Sequence, residues 1–121
     1  MKLYRGTRIR GRCSVVVETG AVERVFYDLD PRFDLVNHSP DGFEWNYRGS
    51  GPSQLALALC ADATGDDAVA LRCYLNLTHT LVARLPKGDW DLPQQEILDR
   101  VALIERILHG PNTLTGGQSF G

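Results

Sequence analysis

One short stretch concentrates the side chains that could do chemistry. Residues 37–51, NHSPDGFEWNYRGSG, hold His38, Ser39, Asp41, Glu44, Arg48 and Ser50 among three aromatics. An imidazole near a hydroxyl and a carboxylate can act as base, nucleophile and orienting acid, so His38, Ser50 and Glu44 form a candidate catalytic set. Such a set works only where its members meet in space, which closeness along the chain does not establish. The overlapping stretch YRGSGPSQ, 47–54, runs through a Gly-rich loop into a helix start. Free backbone N–H groups and the helix dipole then point at one spot, which suits an anion. Arg48, Gly49, Ser50 and Gly51 are the candidate anion-binding residues. The specific fingerprints are incomplete, however. A dinucleotide GxGxxG needs Gly where Gln54 stands, and no Gly-Lys precedes Ser or Thr as a phosphate loop requires.

Cys13, Cys60 and Cys73 are odd in number and form no CxxC pair, so no zinc site is expected. Buried free thiols are the simplest account of them. His79 and His109 stand apart on expected helices, the first on the surface and the second at a helix C-terminus, where it meets the dipole. Neither a metal nor a cofactor is expected.

The wider composition bounds the reading. The chain has 121 residues with a formal charge of −2, 43% hydrophobic and 23% charged. These are values of a globular domain with one core, and near-neutral charge argues against a dedicated nucleic-acid binder. Lys2, Arg5, Arg8, Arg10 and Arg12 nevertheless cluster without an acid among them. A basic arm of this kind could meet phosphate or an acidic protein surface, and a solvated edge strand is the plainer account. No apolar N-terminal run or bilayer-length segment is present, so a soluble, cytoplasmic protein is expected, with no membrane partner.

The elements that must position these residues divide into two halves. RCSVVVE (12–18) and VERVFYD (22–28) read as a hairpin, and KLYRG (2–6) as a further strand. RFDLVNH (32–38) and FEWNY (43–47) read as a second hairpin about SPDG, where Pro40 and Asp41 suit a type I turn and Gly42 closes it. The alternation would put Phe43, Trp45 and Tyr47 on one strand face.

Helices follow. Residues 51–65 are apolar nearly all round, which predicts a central buried helix with Pro52 in its first turn. Thr64 or Asp66 caps a second helix over about 67–85, with Leu71, Tyr74, Leu77, Leu81 and Leu85 on its apolar face. A third helix over 91–110 has Asp91 as cap, Gln94 completing a capping box, and Ile97, Val101, Ile104 and Leu108 as its seam. Trp90 anchors the preceding loop to the core. The expected fold is α+β: an antiparallel sheet of four or five strands in the N-terminal half, packed against about three helices. A single domain over 1–109 and a mobile tail over 110–121 complete the expectation.

The stretch LVNHSPDGFEWNYRGSGPSQLALALCAD, from Leu35 onward, resembles the central signature of a small family of uncharacterised prokaryotic and phage proteins of unknown function. Members resemble an N-terminal YRG, then LxxRxDLxNHSPxGFEWGYxGSGPxQLALALLAD, a helix and a Trp-containing segment. Here Tyr4-Arg5-Gly6, Pro31-Arg32-Phe33-Asp34-Leu35, the loop and Trp90 match in order, over about residues 3–100. Asn46 stands where the family usually carries Gly, and Cys60 where it carries Leu. The resemblance implies no established activity. It implies a setting in phages and mobile elements, whose small proteins often bind a host protein.

Joined to the absence of a complete catalytic motif, this leads to the expectation of a non-catalytic binding or inhibitor protein. Its partner would be a host or phage protein, as for anti-CRISPR-like or anti-restriction-like proteins. The candidate binding residues are Arg5, Arg8, Arg10, His38, Asp41, Glu44 and Arg48. A small enzyme or nucleotide-binding module on the His38–Ser50 loop is the alternative. Nucleic-acid binding through the basic arm, with strong salt dependence, is the second.

Overall fold

Buried Tyr4 and Gly6 alternate with exposed Arg5 and Thr7, and buried Val15 and Val17 flank half-buried Val16. This period of two sets one sheet face against the core. The structure is a computed structural model and describes residues 1–109. The tail over 110–121, expected to be mobile, lies outside the described residues. Strands β1 (Leu3–Ile9), β2 (Arg12–Thr19), β3 (Val25–Asp28) and β4 (Trp90–Pro93) form an antiparallel sheet in the order β3-β2-β1-β4. Arg10 and Gly11, both at positive φ, make the two-residue turn between β1 and β2. The fold is α+β, with three α-helices among the described residues of the C-terminal half.

Helix α1 (Ser50–Thr64) is buried from Gly51 to Ala61. It packs on α2 (Asp67–Thr80) and α3 (Gln94–His109), and shares one core with Tyr4, Val17 and Leu92 of the sheet. This is the central helix that its uniformly apolar sequence predicts. Asp66 caps α2 by accepting the N–H groups of Ala68 and Val69 at 3.0 and 3.2 Å.

Four expectations need correction. The segment expected as a second hairpin, 32–38 with 43–47, contains no strand. Its SPDG turn does form: Gly42 N–H donates to Ser39 O at 3.1 Å, with Gly42 at φ 108. The flanks, however, bond to helix α1 and the 82–88 segment instead of to each other. The second helix ends at Thr80, not near 85. There Asn46 draws the chain aside, donating its N–H to Val82 O at 3.2 Å and its Nδ2 to Leu85 O at 2.8 Å. Leu85 is buried from an extended segment after a 3-10 turn over Val82–Arg84.

The third helix begins at Gln94, so Asp91 is not its cap; Trp90–Pro93 pairs with β1. Gln94 fastens that junction, donating its N–H to Lys2 O and accepting Lys2 N–H on Oε1, both at 2.9 Å. The basic run 2–12 is not a free arm, and it is not an edge strand throughout: β4 pairs with β1 over Leu3–Gly6, which makes that part interior, while Thr7–Ile9, the turn and Arg12 lie beyond β4.

Candidate functional site

Gln54 is fully buried in a largely apolar helix and governs the loop opposite it. Its Oε1 accepts the N–H groups of His38 and Ser39 at 2.7 and 3.1 Å. Its Nε2 donates to Pro31 O and Val36 O at 2.6 and 3.0 Å. One amide thus satisfies four backbone groups of a segment without secondary structure, a need that burial imposes. Arg32, at φ 60, holds the outer side of the same loop through Asp34 and Asp67, each pair closing at 2.9 Å.

The second anchor is Arg8, on the inner face of β1. Its guanidinium forks onto Glu44 at 2.9 and 3.2 Å and lies 5.0 Å from the Trp45 ring centroid. Its Nε donates to Lys87 O at 2.7 Å, beside the bonds of Trp45 Nε1 to Lys87 O and Gly88 O. The charge-assisted bond from Arg8 holds the Glu44 carboxyl below its ordinary range. Burial, and then the Glu44 carboxylate, pushes the Cys13 thiol up to about 11. That shift favours the protonated thiol over the thiolate at neutral pH.

The remaining loop residues go elsewhere. His38 Nε2 meets Tyr74 Oη at 2.7 Å, with the rings 5.4 Å apart. Arg48 reaches His79 Nδ1 at 3.4 Å on the exposed side of α2. Ser50 opens α1 and is exposed, with Gly49 as N-cap and no side-chain cap bond. A Cβ placed on Gly51 would lie 2.7 Å from Glu44 Cβ, so protein already fills the space beside that helix start. Arg5 points to the other sheet face, toward Glu18 and Asp91 at 3.4 and 3.7 Å. Of the expected catalytic set, Glu44 is engaged by Arg8 and His38 by Tyr74.

Arg10, Asp41 and Glu44 do come together. They line one groove of roughly 340 Å³ between the β1–β2 tip and the SPDG turn, with Arg12 and Ser39. Lys2, Arg5 and Arg8 each have an acidic partner, whereas Arg10 and Arg12 have none among the described residues. Among these residues, too, no three His, Cys, Asp or Glu side chains are placed to hold a metal ion, and no helix is long and apolar enough to cross a membrane.

Sequence reasoning missed Gln54 as an organiser and Arg12 as a groove residue. The signal for the first was present: a lone amide inside QLALALCA must find buried partners. The signal for the second was not, because only the turn at 10–11 separates Arg12 from the strand it was grouped with.

Residues 4–103 match one family model, described as a family of unknown function (DUF6166). No curated protein and no solved structure matches the chain.

Proposed function

We propose that this chain, which belongs to the DUF6166 family, is a non-catalytic binding protein that takes an acidic segment of a partner protein into the groove between its hairpin tip and its SPDG turn. The observation that carries the reading is the pair Arg10 and Arg12. Both are exposed, Arg10 on the two-residue turn and Arg12 at the start of β2, and neither has an internal acid among the described residues, unlike the other cations of that run. Guanidinium groups held this way suit carboxylates, and Arg is favoured where binding energy concentrates. The chemistry-bearing loop residues support the same view, since Glu44 and His38 are committed to holding the fold. A host protein met by a phage or mobile-element protein, such as a defence complex, is the class of partner that the sequence resemblance favours.

The test is a quantitative pull-down with tagged wild type, Arg10→Lys/Arg12→Lys and Arg10→Glu/Arg12→Glu. A protein retained by the first two and lost by the third is the expected result. Equal recovery by all three, or salt-labile capture of nucleic acid alone, overturns the reading. A thermal-shift screen with phosphates and nucleotides checks the alternative on Arg48–Gly51. A ligand at a hundred times its dissociation constant would add about 2.7 kcal/mol, and no such shift is expected.

A further inference from the structure

Among the described residues, strand β3 has one neighbour, β2, and its other edge is open. All four of its residues are exposed, Val25 at 54% and Phe26 at 59%. Edge strands are ordinarily blunted by Pro, by Lys or by a bulge. The opposite edge follows that rule: β4 ends in Pro93 and passes straight into α3. β3 carries neither Pro nor Lys.

The backbone fixes which residues can receive another strand. Leu29 N–H donates to Val15 O at 3.0 Å, continuing the register Val16↔Asp28 and Val17↔Tyr27. Hydrogen-bonded and non-bonded pairs alternate in an antiparallel ladder, so Leu29 and Tyr27 turn their peptide groups toward β2. Phe26 and Asp28 turn theirs outward.

Charge then selects the occupant. Across the uncovered sheet face runs a row of alternating sign: Asp91 to Arg5 at 3.7 Å, Arg5 to Glu18 at 3.4 Å, Glu18 to Arg24 at 2.8 Å. The row ends on a cation at the open edge. Asp28, four residues on and on the same face, has no ion-pair partner among the described residues. An antiparallel copy of the same strand, centred on Phe26, sets Arg24 opposite Asp28 of the second copy, and the two-fold axis repeats the pair. It also sets Phe26 against Phe26 and Val25 against Tyr27. Sliding the copy by two residues one way places Arg24 against Phe26 and leaves its charge unmatched; sliding it the other way sets Arg24 against Asp30, beyond the end of the strand, and Phe26 against Asp28.

We infer that two copies of this chain pair through β3, antiparallel about Phe26, joining their sheets into one of eight strands. This inference is independent of the groove at Arg10 and Arg12, whose lining includes no residue of β3 or of the β2 segment paired with it.

Sedimentation equilibrium on the full chain tests it. Wild type is expected at twice 13.4 kDa. Asp28→Arg alone and Arg24→Asp alone should each raise the dimer dissociation constant at least about tenfold, a change of about 1.4 kcal/mol. Mixing these two variants should restore the dimer, because each then offers the charge that the other lacks, and recovery on mixing cannot come from unfolding. In a Cys13→Ser background, Phe26→Cys should cross-link to itself on mild oxidation and Thr7→Cys should not, since directly opposed Cα atoms at a bonded pair lie about 5.5 Å apart. A wild-type monomer at millimolar concentration overturns the inference. So does a dimer indifferent to both reversals, or equal cross-linking at both positions.

Discussion

The side-chain oxygen of Gln54 accepts the backbone N–H of His38 at 2.7 Å, joining the N-terminal part of the central helix to the most chemically suggestive residue of the loop. The bond uses the His38 backbone and leaves its imidazole for Tyr74. The loop's conformation is therefore decided by a residue outside it. A buried amide satisfying four backbone groups leaves none of them to choose water or a neighbouring strand.

Gln54→Leu keeps the volume and removes all four bonds. Each buried backbone group left unpaired costs about 1–3 kcal/mol, and partial relaxation of the loop brings the expected loss to roughly 2–4 kcal/mol. Urea unfolding measures it. Hydrogen exchange supplies the specific mark: the amides of His38 and Ser39 should lose protection while those of β2 keep theirs.

Gly6 faces the Trp90 indole so closely that a Cβ there would lie 2.2 Å from the ring. Gly6→Ala should therefore destabilise by about 1–3 kcal/mol through overpacking. Trp90→Leu makes room, so the double variant should fall short of the sum of the singles by about 1 kcal/mol. Additive losses in thermal or urea unfolding would show that the strand shifts instead.

How legible the fold was depended on whether an element's evidence was local. Helix α1 announces itself by a continuous apolar run, and β2 by alternation, because each pattern lies within the element. Strand β4 is four residues long and exists because β1 lies beside it, far away in sequence. Within that segment Asp91 imitates a helix cap. Phe43, Trp45 and Tyr47 alternate like a strand, but only Trp45 is fully buried, under Arg8 and against Trp90 at 5.3 Å. The candidate site was legible to the same extent. Its composition marked the stretch 37–51, while the partners that set each role, Arg8, Gln54, Tyr74 and His79, sit on other elements.

Arg8 combines a forked carboxylate pair, a ring contact and a backbone bond, which lysine cannot reproduce together. Arg8→Lys should cost about 1–2 kcal/mol and reduce the near-ultraviolet circular dichroism of Trp45. Arg8→Ala should cost more, because it strands the Glu44 carboxylate. An Arg8→Lys variant with unchanged stability would place the weight on charge alone.

Asp62, on α1, gathers Tyr4 Oη at 2.5 Å, Tyr27 Oη at 2.7 Å and Lys2 Nζ at 2.9 Å. Burial pushes its carboxyl up, but the bonds from Tyr4, Lys2 and Tyr27 outweigh burial and hold it below the ordinary value. A carboxyl depressed by folding contributes stability that is complete above its unfolded value, about pH 4, and is lost as pH falls through the folded value. Asp62→Asn should therefore be less stable than wild type at neutral pH by about 1–2 kcal/mol. The gap should begin to narrow below about pH 4 and close as pH falls through the lower folded value, where the native carboxyl takes up its proton. Urea midpoints from neutral to acid pH measure both. A gap that stays constant through the acid range would mean that packing at Asp62, not its charge, ties Lys2, Tyr4 and the edge strand residue Tyr27 to the central helix.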